Sequence, residues 1–424
     1  MGLIVQKFGG SSVADAASIR RVAERIAATK RAGNDVVVVV SAMGDTTDEL
    51  LDVAAQVVDG EPAPRELDML LTSGERISMA LLAMAIKGLG LDARSYTGSQ
   101  AGMITDQKHG KARILEVTPR RIQEAIADGA IAIVAGFQGF NRETGDITTL
   151  GRGGSDTTAV ALAAAMNADV CEIYSDVDGI FTADPRVVPR AQKIDRVTTE
   201  EMVELAAAGA KVLYVRAVEF ARRHGVTIHA RSSFSDGPGT IVMNRAKAAE
   251  GETVEEPVVT GVATDLSEAK ITIVGVPDVP GKAAQIFTIV ADAHANIDMI
   301  VQNVSTQSGR TDISFTLPMS DVSAALGALE RAKSDVGFLE LLHDEDIAKV
   351  SVVGAGMRSS AGVSAKLFTA LFEAGVNMEM ISTSEIRISV VTRAGAAATA
   401  ARAIHTAFGL DGDSDATVHA GTGR

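Results

Sequence analysis

The sequence predicts an α/β fold, a three-layer αβα domain with a mostly parallel central sheet, followed by two small α+β units of ferredoxin-like order. Three observations predict it. Val36-Val-Val-Val-Val40 is a β-branched run without alternation, and a strand apolar on both faces belongs to a parallel sheet covered by helices. Strand-like runs alternate with glycine turns and helix-period segments as far as Ala230, the order of a doubly wound domain. Beyond a polar stretch at 244–257, the chain repeats itself. Ala269-Lys-Ile-Thr-Ile-Val-Gly275 returns as Ala348-Lys-Val-Ser-Val-Val-Gly354, and Asn296-Ile-Asp-Met-Ile300 as Asn377-Met-Glu-Met-Ile381. Each copy fits a β-α-β-β-α-β unit. The expected division is 1–243, a linker 244–262, and units 263–343 and 344–424.

The elements follow in order. Leu3–Gln6 is a strand running into Lys7-Phe-Gly-Gly-Ser-Ser12. Ile19, Val22, Ala23, Ile26 and Ala27 lie on one helical face. The valine strand ends at Ser41-Ala-Met-Gly-Asp-Thr-Thr47, and residues 48–58 read as a helix. Leu67 to Leu71 reads as another, broken at Thr72-Ser-Gly-Glu75 and resumed from Arg76 to Ile86. Pro119 opens a helix to residue 128, and Ala130–Ala135 is a buried strand. Thr149-Leu-Gly-Arg-Gly-Gly-Ser-Asp-Thr-Thr158 is a glycine turn entering an alanine-rich helix, with Ser155 or Asp156 as its cap. Val170–Tyr174 is a strand ending at Ser175. Helices over Thr199–Ala208 and Val212–Arg223 precede a strand at Val226–Ala230.

Composition narrows the function. The 424 residues allow two to four domains. A net charge of −14 opposes a nucleic-acid or anionic-membrane surface. The single cysteine, Cys171, excludes a disulfide framework or thiolate metal cluster and reads as a buried strand thiol. No run approaches the roughly 18 apolar residues of a membrane span, so a cytoplasmic enzyme is expected.

In open α/β sheets ligands sit beyond the carboxyl ends of strands. Lys7–Ser12 offers there a lysine, backbone N–H groups, hydroxyls and a helix start, which suit a polyphosphate. Taken alone it also reads as an ordinary strand-end turn. Arg152 adds a fork suited to carboxylate or phosphate. The P-loop and the H-R-D catalytic loop are both missing from the sequence. Glu75 also reads as an acid favoured early in a helix, and Asp184-Pro185 as a plain turn. His109 and His229 read as structural or surface residues.

Five segments in one order, Lys7–Ser12, Ser41–Thr47, Thr72–Arg76, Gly151–Asp156 and Ser175–Arg186, together resemble aspartate kinases of the amino-acid-kinase superfamily. The repeat resembles their tandem ACT domains, and the wording at 41–47 and 149–158 looks most like the actinobacterial enzymes. The resemblance implies phosphoryl transfer from MgATP to the side-chain carboxylate of L-aspartate. Lys7 and Asp156 would be catalytic. Ser41, Thr47, Glu75, Arg152, Gly153, Gly154 and Ser155 would meet aspartate. Lys7, Gly9, Gly10, Ser11, Ser175, Asp176, Phe181, Asp184, Arg186 and Lys211 would meet ATP, Phe181 standing where many relatives have tyrosine. Mg²⁺ would keep phosphate and water ligands rather than protein side chains. Lysine and threonine would act as effectors, at Asp278, Gly281, Ala283, Asn296, Asp298 and Gln302 in one pocket type and Val363, Ser364, Asn377, Met378, Ser384 and Glu385 in the other. A homo-oligomer, or a hetero-oligomer with a short ACT-only chain started internally near Met243, is implied.

Overall fold

The computed structural model describes residues 2–244, 257–304, 309–416 and 418; most of the expected linker lies outside them. An eight-stranded sheet organises the N-terminal half. β1 (Leu3–Phe8) and β2 (Asp35–Val40) pair in parallel, Leu3 opposite Asp35 and Phe8 opposite Val40. Val170–Ser175 flanks β1, Ile131–Ala135 flanks β2, and both run parallel to them. Ala93–Tyr96 forms one edge, while Ile228–Ser232, Thr240–Met243 and Arg196–Thr198 extend the other. Among the described strands of this sheet, Thr240–Met243 against Ile228–Ser232 alone is antiparallel.

Val36 to Val40 are all fully buried. Strand alternation sends Val5, Val37, Val39 and Cys171 into one apolar layer and Phe8, Val36, Val38 and Tyr174 into the other. α1 (Ala16–Arg31) buries the expected face, and Asp15 caps it by accepting the Ser18 N–H at 2.7 Å. α2 (Thr46–Val57) precedes α3 (Pro64–Gly88).

α3 corrects the expected break at 72–75, because it runs without interruption for 25 residues. Its glycine serves close packing instead of a turn: a Cβ on Gly74 would lie 2.7 Å from the Ala42 side chain. The hydroxyls of Thr72 and Ser73 donate to carbonyls three residues back, at 2.9 and 2.7 Å. α3 is long and apolar enough to cross a membrane by length and composition, but half of that stretch is buried inside the protein. Asp68 and Glu75 lie on its buried face.

α4 (Arg120–Ala127) and α5 (Gly154–Ala165) complete the opposite layer with α6 (Thr199–Ala207) and α7 (Val215–His224). Every residue of α5 from Gly154 to Ala163 is buried, which explains its alanine-rich composition. Its N-cap is Gly153 at φ 67°, with no side-chain cap bond. Ser155 and Asp156 therefore sit inside the first turn, not at the cap expected for them. Thr198 and Glu201 form a capping box at the start of α6.

Two four-stranded antiparallel sheets follow. The first combines Ile300–Val304, Arg310–Pro318, Glu268–Pro277 and Glu340–Asp344, with helices Lys282–Asp292 and Val322–Arg331. The second combines Ile347–Val353, Arg387–Arg393 and Met380–Thr383 with Gly261–Asp265, a strand that precedes the whole first unit. The two units are thus interleaved, not merely consecutive.

Repeat-related residues lock them together. Lys349, fully buried on the second sheet, reaches Glu268 and Asp298 of the first, each at 2.5 Å. Lys270, its counterpart on the first sheet, pairs with Glu379, the counterpart of Asp298. Burial opposes the Lys349 charge, yet the adjoining carboxylates outweigh it and hold its pKa above the ordinary lysine value. Lys349→Ala would leave two carboxylates without their cation. It should lower unfolding stability by roughly 3 kcal/mol, read as a reduced denaturant midpoint; an unchanged midpoint would show the pair to be energetically idle.

Candidate active site

Polar groups gather where β1, β2 and Val170–Ser175 end. Alternation places Lys7 on the same face of β1 as Val5, toward α5. There its Nζ meets Asp156 Oδ1 at 2.6 Å, with side chains 13% and 10% exposed. The contact is a close ion pair. The loop after β1 is fixed on both sides: the Gly9 N–H donates to the Tyr174 carbonyl at 3.4 Å, and the Gly44 N–H to the Gly10 carbonyl at 3.1 Å. Ser11 follows in a short helical turn. The Ser12 and Ser233 hydroxyls pair at 2.9 Å, and Ser233 donates to the Ser175 carbonyl at 3.1 Å.

Glu75 projects from α3 to the end of β2, where its Oε1 accepts the Ala42 N–H at 3.1 Å. Its Oε2 is buried, and no cation pairs with the carboxyl among the described residues. Burial pushes the carboxyl pKa up from 4.5 to about 7, against the hydrogen bonds from its own backbone N–H, the Ala42 N–H and the Gln138 side chain, which lower it. Ser78, one turn on, donates to the Ser41 carbonyl at 2.6 Å. Thr47 stands half-buried at the start of α2.

The glycine turn is held from two sides. Asp68, 1% exposed, accepts the Thr149 hydroxyl at 2.5 Å, the Thr149 and Gly110 N–H groups, and His109 Nδ1 at 2.7 Å. On the other side Arg216 donates to the Leu150 and Ala112 carbonyls at 3.1 and 2.8 Å. Arg152 itself is exposed and makes no polar contact among the described residues. Gly154 and Ser155 are buried where the turn enters α5. Asp68, Ser78, Arg216 and Ser233 escaped the sequence reading, since each acts on a backbone or hydroxyl group remote in sequence. His109 and His229 are structural as expected, His229 Nε2 lying 2.7 Å from the Pro238 carbonyl.

The other expected nucleotide contacts are more scattered. Ser175 and Asp176 are half-buried at the strand end. Asp184 and Arg186 form an exposed local pair at 3.1 Å, and Lys211 is exposed. Phe181 packs against the apolar core of the second regulatory sheet and lines a pocket of about 400 Å³ with Gly412–Ala416. Among the described residues no group of three or more His, Cys, Asp or Glu is placed to hold a metal.

In the regulatory half, Asp278, Gly281, Ala283 and Gln302 line a pocket of about 340 Å³. Asn296 and Asp298 do not line it; Asp298 is engaged by Lys349. In the second unit Val363 is buried in the core and Met378 packs on it. Ser364, Asn377 and Ser384 are exposed, and Glu385 pairs with Arg358 at 2.7 Å.

Residues 2–232 match the amino acid kinase family, and residues 271–332 and 350–408 match an ACT domain. The aspartokinase of Mycobacterium tuberculosis (strain H37Rv) is 62% identical over 425 residues, covering 100% of both chains. The chain belongs to the aspartate kinases of the amino acid kinase family. The aspartokinase of Corynebacterium glutamicum is 59% identical, again across 100% of both chains. The solved aspartokinase III of E. coli in complex with lysine and aspartate (T-state) is 25% identical with a TM-score of 0.69, over 95% of this chain and 99% of that one. As an aspartate kinase with ACT domains, the chain is an allosteric phosphotransferase of amino-acid biosynthesis.

The buried carboxyl of Glu75 has a measurable consequence. Between its ordinary value of 4.5 and about 7 the folded state holds a proton that the unfolded state has released, so this group lowers stability as pH rises through that window. Glu75→Gln should match the parent in unfolding free energy at pH 4 and exceed it at pH 8 by up to about 3 kcal/mol, read by denaturant titration. An equal difference at both pH values would show that Glu75 is not buried as an acid.

Proposed function

We propose that the chain transfers the γ-phosphoryl group of MgATP to the side-chain carboxylate of L-aspartate, giving 4-phospho-L-aspartate and ADP. The observation that carries this reading is the buried carboxyl of Glu75, 3% exposed and without a cation beside it among the described residues. A buried carboxylate oxygen calls for a cation, and the α-ammonium of an amino acid supplies one. Arg152, without a polar partner among the described residues, takes the α-carboxylate as a fork. Gly153, Gly154 and Ser155 close the turn around it, and Ser41 and Thr47 line the opposite wall. The side-chain carboxylate then points toward Lys7.

On the phosphate side Gly9, Gly10 and Ser11 present backbone N–H groups. Lys7 neutralises charge on the transferring group, and Asp156 holds its ammonium in place. The acceptor is already ionised near neutral pH, so the site needs no general base; positioning and charge neutralisation carry the rate. Mg²⁺ enters with the nucleotide, on phosphate and water ligands. Ser175, Asp176, Asp184, Arg186 and Lys211 form the nucleotide side, where Phe181 contributes packing and no hydroxyl. The product feeds lysine, threonine, methionine and diaminopimelate synthesis.

Lysine and threonine together inhibit, each favouring the inactive state. Support comes from the pocket at Asp278–Ala283 and from the lysine of the E. coli complex. Val363, Ser364, Asn377, Met378, Ser384 and Glu385 form the second pocket type, completed when a further ACT chain docks. That chain is another copy or a short product of an internal start.

Trapping acyl phosphate with hydroxylamine tests the reaction: aspartate must yield hydroxamate, and N-acetylglutamate must not. Lys7→Ala should abolish the signal while the fold persists, and Arg152→Ala should raise the aspartate KM at least about tenfold with the ATP KM little changed. Full activity in Lys7→Ala refutes its role. Ser314, hydrogen-bonded to Thr272 at 2.9 Å, adjoins pocket residue Ile313. Ser314→Ile should therefore weaken inhibition by lysine plus threonine with the uninhibited rate retained, and an unchanged inhibition curve counts against the pocket.

A further inference from the structure

The segment joining α6 to α7, residues 208–214, touches both the regulatory half and the glycine turn. At its start Gly209 takes φ 112°, and a Cβ there would lie 2.4 Å from the Thr264 carbonyl oxygen. Only a glycine lets the backbone lie so close against the strand Gly261–Asp265. α6 is fastened to the same region: Glu201 accepts the Thr260 hydroxyl at 2.6 Å and the Ala355 N–H at 3.0 Å, and Glu204 pairs with Arg387 at 3.2 Å.

At the end of the segment, Tyr214 lays its ring on Gly153. A Cβ on Gly153 would fall 1.9 Å from the ring's Cγ. On the other flank a Cβ on Gly151 would fall 2.7 Å from the Gly110 carbonyl. Arg152 lies between these two glycines and has no polar partner of its own among the described residues. Its direction is therefore set by the walls behind Gly151 and Gly153. One wall, Gly110, is pinned by Asp68. The other is the Tyr214 ring, 42% exposed and without a hydrogen bond at its hydroxyl among the described residues. The ring acts by its shape and position alone.

We propose that residues 208–214 form a mechanical link that carries the position of the regulatory strand Gly261–Asp265 to the substrate turn, with Tyr214 as the positioning residue that aims Arg152. The inference rests on Arg152 anchoring the amino-acid carboxylate. A displacement of the strand moves Gly209, the segment moves with it, and the ring shifts against Gly153. The turn then presents Arg152 at a different angle, and aspartate affinity changes without any change in the bonds of the turn itself. The link is contiguous in backbone from α6 to α7, so it requires no rearrangement of the core.

Steady-state kinetics on the full chain test it. Tyr214→Ala should raise the aspartate KM about tenfold, with the ATP KM within about twofold, and Tyr214→Phe should restore the parent value. Gly209→Ala should also raise the aspartate KM, and in the double variant the two effects should not multiply. Arg387→Ala, which frees Glu204, takes the place of Gly209→Ala if that variant does not fold. An unchanged aspartate KM in Tyr214→Ala, an equal rise in both KM values, or multiplying effects in the double variant overturns the link. A parent chain that yields no aspartyl hydroxamate refutes the kinase reading instead, so the two failures are told apart.

Discussion

A sheet whose central strands are apolar on both faces leaves polar groups only one place to gather. Val36 to Val40 have no solvent face, and helices cover both sides of β1, β2 and their neighbours. Unpaired charges and free backbone N–H groups are tolerated only past the strand ends, where water and ligands can satisfy them. Charges within the strands need partners: Glu172 on Val170–Ser175 pairs with Arg231 at 3.1 Å, and Lys7 lies within β1. It survives there because Asp156, in the first turn of α5, meets it at 2.6 Å. The arrangement ties the opening strand to a helix that begins about 150 residues later, and it gathers the loops after β1, β2 and Val170–Ser175 into one edge.

The glycine turn depends on that edge being stiff. α5 is buried through ten consecutive residues, so its first turn cannot tilt without disturbing the core. Asp68 and Arg216 hold the approach to it through backbone atoms. The turn is thereby held at its approach, while the Arg152 side chain is left without a polar partner among the described residues. Glu75 shows the complementary case: an acid whose burial the surrounding hydrogen bonds offset only in part.

The regulatory half follows a different logic. Its second sheet borrows a strand from before the first unit, so the two units cannot separate without breaking a ladder of hydrogen bonds. Lys349 and Lys270 exchange carboxylates across the units. The same borrowed strand lies against Gly209, and His405 of the last helix bridges Asp411 and Thr182 at 3.0 and 2.8 Å. Burial holds the His405 pKa below the ordinary histidine value. Movement in this half therefore meets the catalytic half at defined backbone and side-chain contacts.

Much of this was legible along the chain. Unalternating valines, the spacing of Ile19 to Ala27, the strand-end glycines and the internal repeat each express a local rule that neighbouring residues settle. The candidate residues Lys7, Asp156 and Glu75 were legible for the same reason, since they stand in short motifs. The break at Thr72–Glu75 was misread because a glycine that packs against Ala42 has the same local signature as one that ends a helix. Asp68, Arg216, Tyr214 and the borrowed strand left no signal at all. Their partners lie tens to hundreds of residues away, and only closure of the fold brings them within reach. Neighbour-to-neighbour chemistry decided which segments are strands, helices and ligand loops. Packing across the fold decided which of them hold one another in place.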